Sequence, residues 1–433
     1  MIQDKLDRFI NNENRTDFLG YSLDHVRALL GHFGDPHRRV RMLHIAGTNG
    51  KGSVAHMLHG ILTSSGYKTG LYTSPHLTAI NERIMIGGET IPDDRFNDYV
   101  DDIIGFAETA GLRPTFFDIL TVCAFRYFRD CGADAAVIET GLGGRRDSTN
   151  VITPLCSVIT SISRDHANIL GESLESITGE KAGIIKHAVP VVTSNGARPV
   201  IDIIAREAAE REAPLFALGR DFFIRNVRET DTGFRFDYRP ESDSLPRIDD
   251  IALNNPLAQQ ITNSSLAITA AGLVQKMLPG ISAEHIRSAM GSFSVPGRLQ
   301  TLSEEPRIIF DPAHNEAAIT VIMDHIAAKQ ADRSVMIVLT LMKDKEIGGI
   351  LSILKRYRMP VLYFSLSGER CYRPSRSEFP ELFTDIIDND ETALAEKLDA
   401  LISGRSLFLF IGSFRLYDTA VSYARHASGR IKS

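Results

Sequence analysis

HIAGTNGKGSVAHML, residues 44–58, joins an apolar run to a glycine-rich turn and then to an amphipathic stretch. Strand, loop and helix in that order is the context in which a chain cradles phosphate. The apolar run Val40–Ala46 predicts a strand, and Val54, Met57, Leu58, Ile61 and Leu62 recur at helical spacing behind the loop. Between them, Thr48, Asn49, Gly50, Lys51, Gly52 and Ser53 offer backbone N–H groups, a helix N-terminus and an ammonium to the β and γ phosphates of a nucleotide. The spelling departs from the general G-x-x-x-x-G-K-[ST] loop in two places. Its first glycine is missing, and Gly52 follows the lysine, which displaces the hydroxyl to Ser53. An ordinary glycine-rich turn is the bland alternative, but a lysine flanked by glycines at a helix start has little structural use.

Outward from this loop, short apolar runs alternate with amphipathic stretches. Strands are predicted at Lys68–Thr73, Ala135–Glu139, Ser157–Ser161 and Val189–Thr193, with helices between them, which is the pattern of a mostly parallel α/β sheet. The segment FFIRNVRETDTGFRFDY, residues 222–238, alternates around a Thr-Gly turn and reads as a β-hairpin at the sheet edge. A helix from about Leu257 to Met277 and a shorter one at Ser282–Met290 lead to the breaker VPGR at 295–298. There the chain is expected to divide into domains 1–295 and 296–433. The second, smaller α/β domain has β-like runs at Arg307–Asp311, Val335–Leu339, Val361–Ser365 and Leu407–Ile411, and the active site is expected between the two.

Composition narrows the function. A chain of 433 residues, 43% of them hydrophobic, can build two or three domains with substantial cores. The net charge of −6 leaves no basic footprint for nucleic acid. No apolar run approaches membrane-spanning length, and the opening MIQDKLDRFINNENRT lacks an apolar core for export, so a cytoplasmic protein is expected. Cys123, Cys131, Cys156 and Cys371 show no C-x-x-C spacing and read as reduced, buried thiols.

Two further loops follow strand ends. In ETGLGGRRDSTN, residues 139–150, the Glu139 carboxylate could bind Mg²⁺, Arg145 and Arg146 could hold carboxylates, and Asp147 could accept a hydrogen bond. Surface ion pairs on a mobile loop explain the same residues. In SISRDHANILGESLESITGEKAGIIK, residues 161–186, His166 alone is weak evidence of a ligand, and Glu180-Lys181 would ordinarily be a solvated helix face. Spacing leaves these choices open.

The motifs AGTNGKGS, TSPHL with NERI, ETGLGGRRDSTN, DH with EKAGIIK, PGRLQ and DPAHN occur in the order found in the folylpolyglutamate synthase and dihydrofolate synthase family, relatives of the Mur ligases. The chain resembles that family over nearly its whole length. The resemblance implies a Mur-ligase-like P-loop ATPase domain, 1–295, that carries the pterin substrate. A Rossmann-like domain, 296–433, would close the site and bind glutamate. It implies that Gly50 to Ser53 cradle ATP, with Asn263, Arg298 and Asp311 completing the nucleotide site. Ser74, Glu139 and His166 match the family's Mg²⁺ ligands, and Lys181 matches its carbamylated lysine. Phe116, Phe117 and Asp118, with Arg146, Asp147 and Ser148, match segments that contact the substrate, and His314 is a motif residue near the phosphates.

The implied reaction is ATP-dependent addition of L-glutamate to 7,8-dihydropteroate and to reduced folates through an acyl phosphate, performed by a monomer. A polyglutamate-only synthetase has the same catalytic residues. A Mur-type ligase or a non-catalytic nucleotide switch fits the combined motifs less well. Two departures stand out: Arg146 replaces the family's usual leucine, and Gln259-Gln260-Ile261-Thr262-Asn263-Ser264 keeps the asparagine of HQ-x-x-N-A while its neighbours differ.

Overall fold

The central strands are buried almost from end to end because helices cover both of their faces. The structure, a computed structural model, describes Leu6, Phe9 and residues 22–164, 171, 173–330, 333–375, 381–403 and 406–431. These form two compact units, Met1–Ser294 and Val295–Ser433.

In the first unit the strands are β1 (Arg41–Ala46), β2 (Thr69–Tyr72), β3 (Ile84–Ile86), β4 (Glu89–Thr90), β5 (Ala135–Glu139), β6 (Cys156–Ile159), β7 (Val191–Thr193) and β8 (Leu215–Ala217). They pair in the order β4-β3-β2-β5-β1-β6-β7-β8. Pairing is parallel from β2 through to β8, whereas β3 and β4 add an antiparallel margin. β5 is buried along its whole length and β1 from its second residue, as expected of strands sandwiched between helix layers. The helix Lys51–Ser64 buries Val54, Met57, Leu58, Ile61 and Leu62, the residues whose spacing announced it. Burying each such side chain stabilises the fold by about 1.5–3 kcal/mol before entropy is counted.

One expectation is corrected. The hairpin does not extend the main sheet. Its strands, β9 (Phe222–Thr230) and β10 (Gly233–Pro240), join β11 (Ile248–Leu253) in a separate antiparallel sheet of order β11-β10-β9. The reason lies in β10, whose buried Phe236 and Tyr238 need a cover. The helix Gln259–Val274 supplies it, with Thr269 Oγ1 2.9 Å from the Tyr238 hydroxyl. β11 adds Ile248, Ile251 and Leu253 to the same core.

The second unit holds β12 (Gln300–Glu304), β13 (Arg307–Asp311), β14 (Ser334–Leu339), β15 (Val361–Ser365), β16 (Phe383–Asp388) and β17 (Ser406–Ile411), in the order β12-β13-β17-β14-β15-β16. β12 runs antiparallel to β13 and the other pairs are parallel. Phe310, Phe364, Phe408 and Phe410 are fully buried. The fold is thus mixed α/β with a mostly parallel sheet in each unit. All four cysteines are unbridged thiols, with Cys123, Cys156 and Cys371 buried. No helix among the described residues is long and apolar enough to cross a membrane.

Candidate active site

At the end of β1 the chain turns through Gly50, whose φ of 89° lies in the left-handed region that favours glycine, and enters the helix at Lys51. Val54 is the first residue whose N–H reaches back to the Gly50 carbonyl, at 3.0 Å, so the N–H groups of Lys51, Gly52 and Ser53 precede the intrahelical ladder. Lys51 Nζ curls over the turn and donates to the carbonyls of Gly47 at 3.1 Å and Thr48 at 3.3 Å. The segment after β6 braces the turn. Thr48 N–H donates to the Ser161 carbonyl at 2.8 Å, Thr48 Oγ1 donates to the Ser163 carbonyl at 3.0 Å, and Ser161 Oγ donates to the Asn49 carbonyl at 3.1 Å. Buried Asn263 packs on Gly50 from the 259–274 helix, and its Nδ2 donates to Gln260 Oε1 at 2.9 Å.

Glu139 ends β5 beside this turn and is 3% exposed. Its Oε2 accepts the Ser74 N–H at 3.2 Å, and a β-carbon on Gly52 would lie 3.6 Å from the same oxygen. Lys181, 4% exposed, donates from Nζ to the Gly47 carbonyl at 2.7 Å. Among the described residues no group of three His, Cys, Asp or Glu side chains could hold a metal. His166, with Asp165, lies outside the described residues. The donor set nonetheless fits Mg²⁺, because Glu139 and Ser74 carry hard oxygens. Lys181 as an ammonium is no ligand. As a carbamate it would present anionic oxygens and keep one N–H for Gly47.

Lys181 sits near the end of the helix Leu174–Ala182, and the 139–150 loop clamps that end. A β-carbon on Gly144 would come within 2.7 Å of the Glu180 carbonyl and 2.9 Å of the Lys181 carbonyl, so only glycine lets the two backbones meet. Arg145 donates its N–H to the Glu180 carbonyl at 2.7 Å, and its guanidinium reaches the Gly179 carbonyl and Glu207, both at 3.1 Å. Asn150 Nδ2 ties the Arg145 carbonyl at 2.9 Å to the Gly183 carbonyl at 3.2 Å. Arg146 pairs with Glu180 at 3.3 Å. The charge that Arg146 brings in place of the family's leucine therefore has a carboxylate partner.

Asp147 of this loop and Asp118 of the helix Phe116–Asp130 are both occupied by their own chain. Asp147 is buried and accepts the N–H groups of Leu142 at 2.9 Å and Thr149 at 3.0 Å. Burial pushes its pKa up, and these hydrogen bonds oppose the rise. The alternative of surface ion pairs on a mobile loop is thereby excluded for Asp147. Asp118 closes a capping box with Thr115 and accepts the Ser148 hydroxyl at 2.6 Å. Phe116 lies under the Arg83 guanidinium, 5.4 Å away, and Phe117 stacks on Tyr72 with centroids 5.6 Å apart.

In the second unit, buried Asp311 ends β13 and accepts the N–H groups of Leu299 and Ala313, each at 2.8 Å. Burial raises its pKa, while the nearby Arg298 charge acts in the other direction. The Arg298 guanidinium lies over the Phe414 ring at 5.3 Å, and His314, whose Nδ1 is 2.8 Å from the Pro312 carbonyl, approaches the same ring with centroids 6.1 Å apart. Sequence reading passed over Phe414. Its signal was its place just after β17, where α/β sheets gather ligand groups.

Residues 45–271 match the Mur ligase middle domain. The chain is 37% identical to the dihydrofolate synthase/folylpolyglutamate synthase of Bacillus subtilis (strain 168) over 329 residues, 75% of this chain and 76% of that one. It is 35% identical to the protein of the same name from Escherichia coli (strain K12), over 72% of this chain and 69% of that one. Among solved structures, Mycobacterium tuberculosis folylpolyglutamate synthase complexed with ADP and AMPPCP aligns with a TM-score of 0.85 at 27% identity, covering 98% of this chain and 97% of that one. With the glycine-rich turn at a helix start and the clamped lysine already seen in its own structure, the chain belongs to the folylpolyglutamate synthase and dihydrofolate synthase family of the Mur ligases, ATP-dependent enzymes that join an amino acid to a carboxylic acid.

Proposed function

We propose that the chain adds L-glutamate both to 7,8-dihydropteroate and to the terminal glutamate of reduced folates, as a cytoplasmic monomer. The observation that carries this reading is the meeting of Ser74, Glu139 and Lys181 around the N-terminal turn of the 51–64 helix.

Amide formation needs an activated carboxylate. The acceptor's carboxylate oxygen attacks the γ-phosphorus of ATP, the bond to the β-phosphate oxygen breaks, and ADP leaves behind an acyl phosphate. Thr48 to Ser53 hold the phosphates, with Lys51 exchanging its carbonyl partners for phosphate oxygens as charge builds there. Ser74, Glu139, His166 and carbamylated Lys181 would hold Mg²⁺, which when bound would supply positive charge opposite the phosphate oxygens. Asn263, Arg298 and Asp311 complete nucleotide binding, and His314 orients groups near the phosphates. The deprotonated α-amine of glutamate then attacks the acyl carbon, and phosphate departs with the bonding pair. Phe116 and Phe117 offer aromatic faces to the pterin. Asp118, Arg146, Asp147 and Ser148 shape that side of the site, and the 296–433 domain takes up glutamate.

Phosphate release is the test, measured with dihydropteroate and then with tetrahydrofolate, each with and without glutamate. Glutamate-dependent release with both acceptors is expected. Release with tetrahydrofolate alone would leave a polyglutamate synthase, and release with neither would sink the proposal.

A further inference from the structure

Behind the glycine-rich loop, a chain of polar groups ends on Asp147, and its inner members, His44 and Thr149, have no part in the reaction above. His44, on the central strand β1, is wholly buried, and its Nε2 lies 2.8 Å from Thr149 Oγ1. Thr149 sends both that hydroxyl, at 2.5 Å, and its backbone N–H, at 3.0 Å, to Oδ1 of Asp147. The other Asp147 oxygen accepts the Leu142 N–H at 2.9 Å.

Proton directions follow from the inventory. A carboxylate gathering donors on both oxygens is an anionic acceptor, so the one proton of the Thr149 hydroxyl points at Asp147. Only lone pairs are left to face His44, and the imidazole must donate from Nε2. His44 is therefore a neutral Nε2–H tautomer, and its Nδ1 is left buried without a hydrogen-bond partner. Burial opposes protonation of the ring, and Lys186, whose ammonium donates to the Asn150 carbonyl at 2.9 Å, adds a positive charge that acts the same way. A leucine would fill the space without stranding an acceptor, so packing alone does not account for an imidazole here.

We propose that His44 is a positioning residue: through Thr149 it holds Asp147, and with it the 141–148 turn, in register with the phosphate loop at the end of its own strand. The inference rests on reading that turn as the substrate side. One strand then carries the phosphate loop at its end and the anchor of the acceptor loop within it. A slip of about 1 Å between the two would cost about 10²-fold in rate.

The test compares His44→Leu, His44→Gln, Thr149→Val and Thr149→Ser in the full-length enzyme. Readouts are KM for dihydropteroate, KM for ATP, melting temperature and the side-chain ¹⁵N shifts of His44. The Leu and Val variants, which break the chain of protons, should raise KM for dihydropteroate about tenfold or more while KM for ATP stays within about twofold. Gln and Ser, which keep a donor at each step, should recover most of the loss. Wild-type spectra should show a proton on Nε2 and none on Nδ1. A proton on Nδ1, a parallel rise in both KM values, or an unchanged KM for dihydropteroate in a folded Thr149→Val enzyme would overturn the proposal. Should the wild type accept only tetrahydrofolate, the substrate reading narrows, while the tautomer and the KM split with that acceptor still decide the role of His44.

Discussion

Oδ1 of Asn263 stands 2.5 Å from where a β-carbon on Gly50 would be. The helix 259–274 thus seals the back of the glycine-rich loop against a position that is also left-handed, at φ 89°. Gly50→Ala should strain the turn and push Asn263 aside together. Turnover is expected to fall by about 10² or more with ATP affinity lost in step, because the loop can no longer present its N–H groups. Isothermal titration with ATP checks this, and unchanged affinity would show that the turn relaxes freely.

Lys51→Ala removes the ammonium assigned to the transferring phosphoryl group. Nothing in the core depends on it, since its partners are two loop carbonyls. Turnover should drop by about 10² or more with the melting temperature nearly unchanged. Near-normal turnover in the folded variant would remove Lys51 from the mechanism.

Lys181 is expected to be carbamylated in the active enzyme. Growth with ¹³C-bicarbonate should give a carbamate carbon signal that Lys181→Ala lacks. That variant should be nearly inactive, and a short carboxylate such as acetate should restore part of the activity. Lys181→Arg should not rescue, because a guanidinium cannot carry the carboxylate.

Asp311 holds the 299 and 313 backbone together at the end of β13. Its replacement by alanine should weaken ATP binding while leaving dihydropteroate affinity within about twofold, since its contacts all lie in the second unit and sites without shared partners act independently. Equal losses for both ligands, read by equilibrium binding, would point to general unfolding instead.

Several buried or half-buried imidazoles tie stability to pH, His44, His59 and His76 most strongly. Burial holds His44 at about 3 and His59 at about 4, below the ordinary 6.5, with the His56 charge adding to the effect on His59. Between these values and 6.5 the unfolded chain binds protons that the folded chain refuses, so stability falls as pH drops from about 6.5 toward 4. Melting temperatures across that window should show the decline, and His59→Leu should make it shallower. An unchanged slope would mean that His59 is protonated without cost in the folded state.

Short-range chemistry made much of this protein legible in its sequence. The apolar run before Gly47, the helical spacing from Val54 to Leu62 and the strand–loop alternation to Ile411 are properties of neighbouring residues, and the backbone follows them. The family motifs likewise lie in unbroken stretches. Tertiary structure decided what those stretches touch. It turned Asp118 and Asp147 onto their own backbone, paired Arg146 with Glu180, and set Asn263 against Gly50. It also gave the 222–240 hairpin a third strand and a covering helix instead of a place in the main sheet. Each of these outcomes depends on which distant segment arrives to bury an apolar face or satisfy a buried polar group. Local periodicity says that such a face exists, and only packing selects its partner.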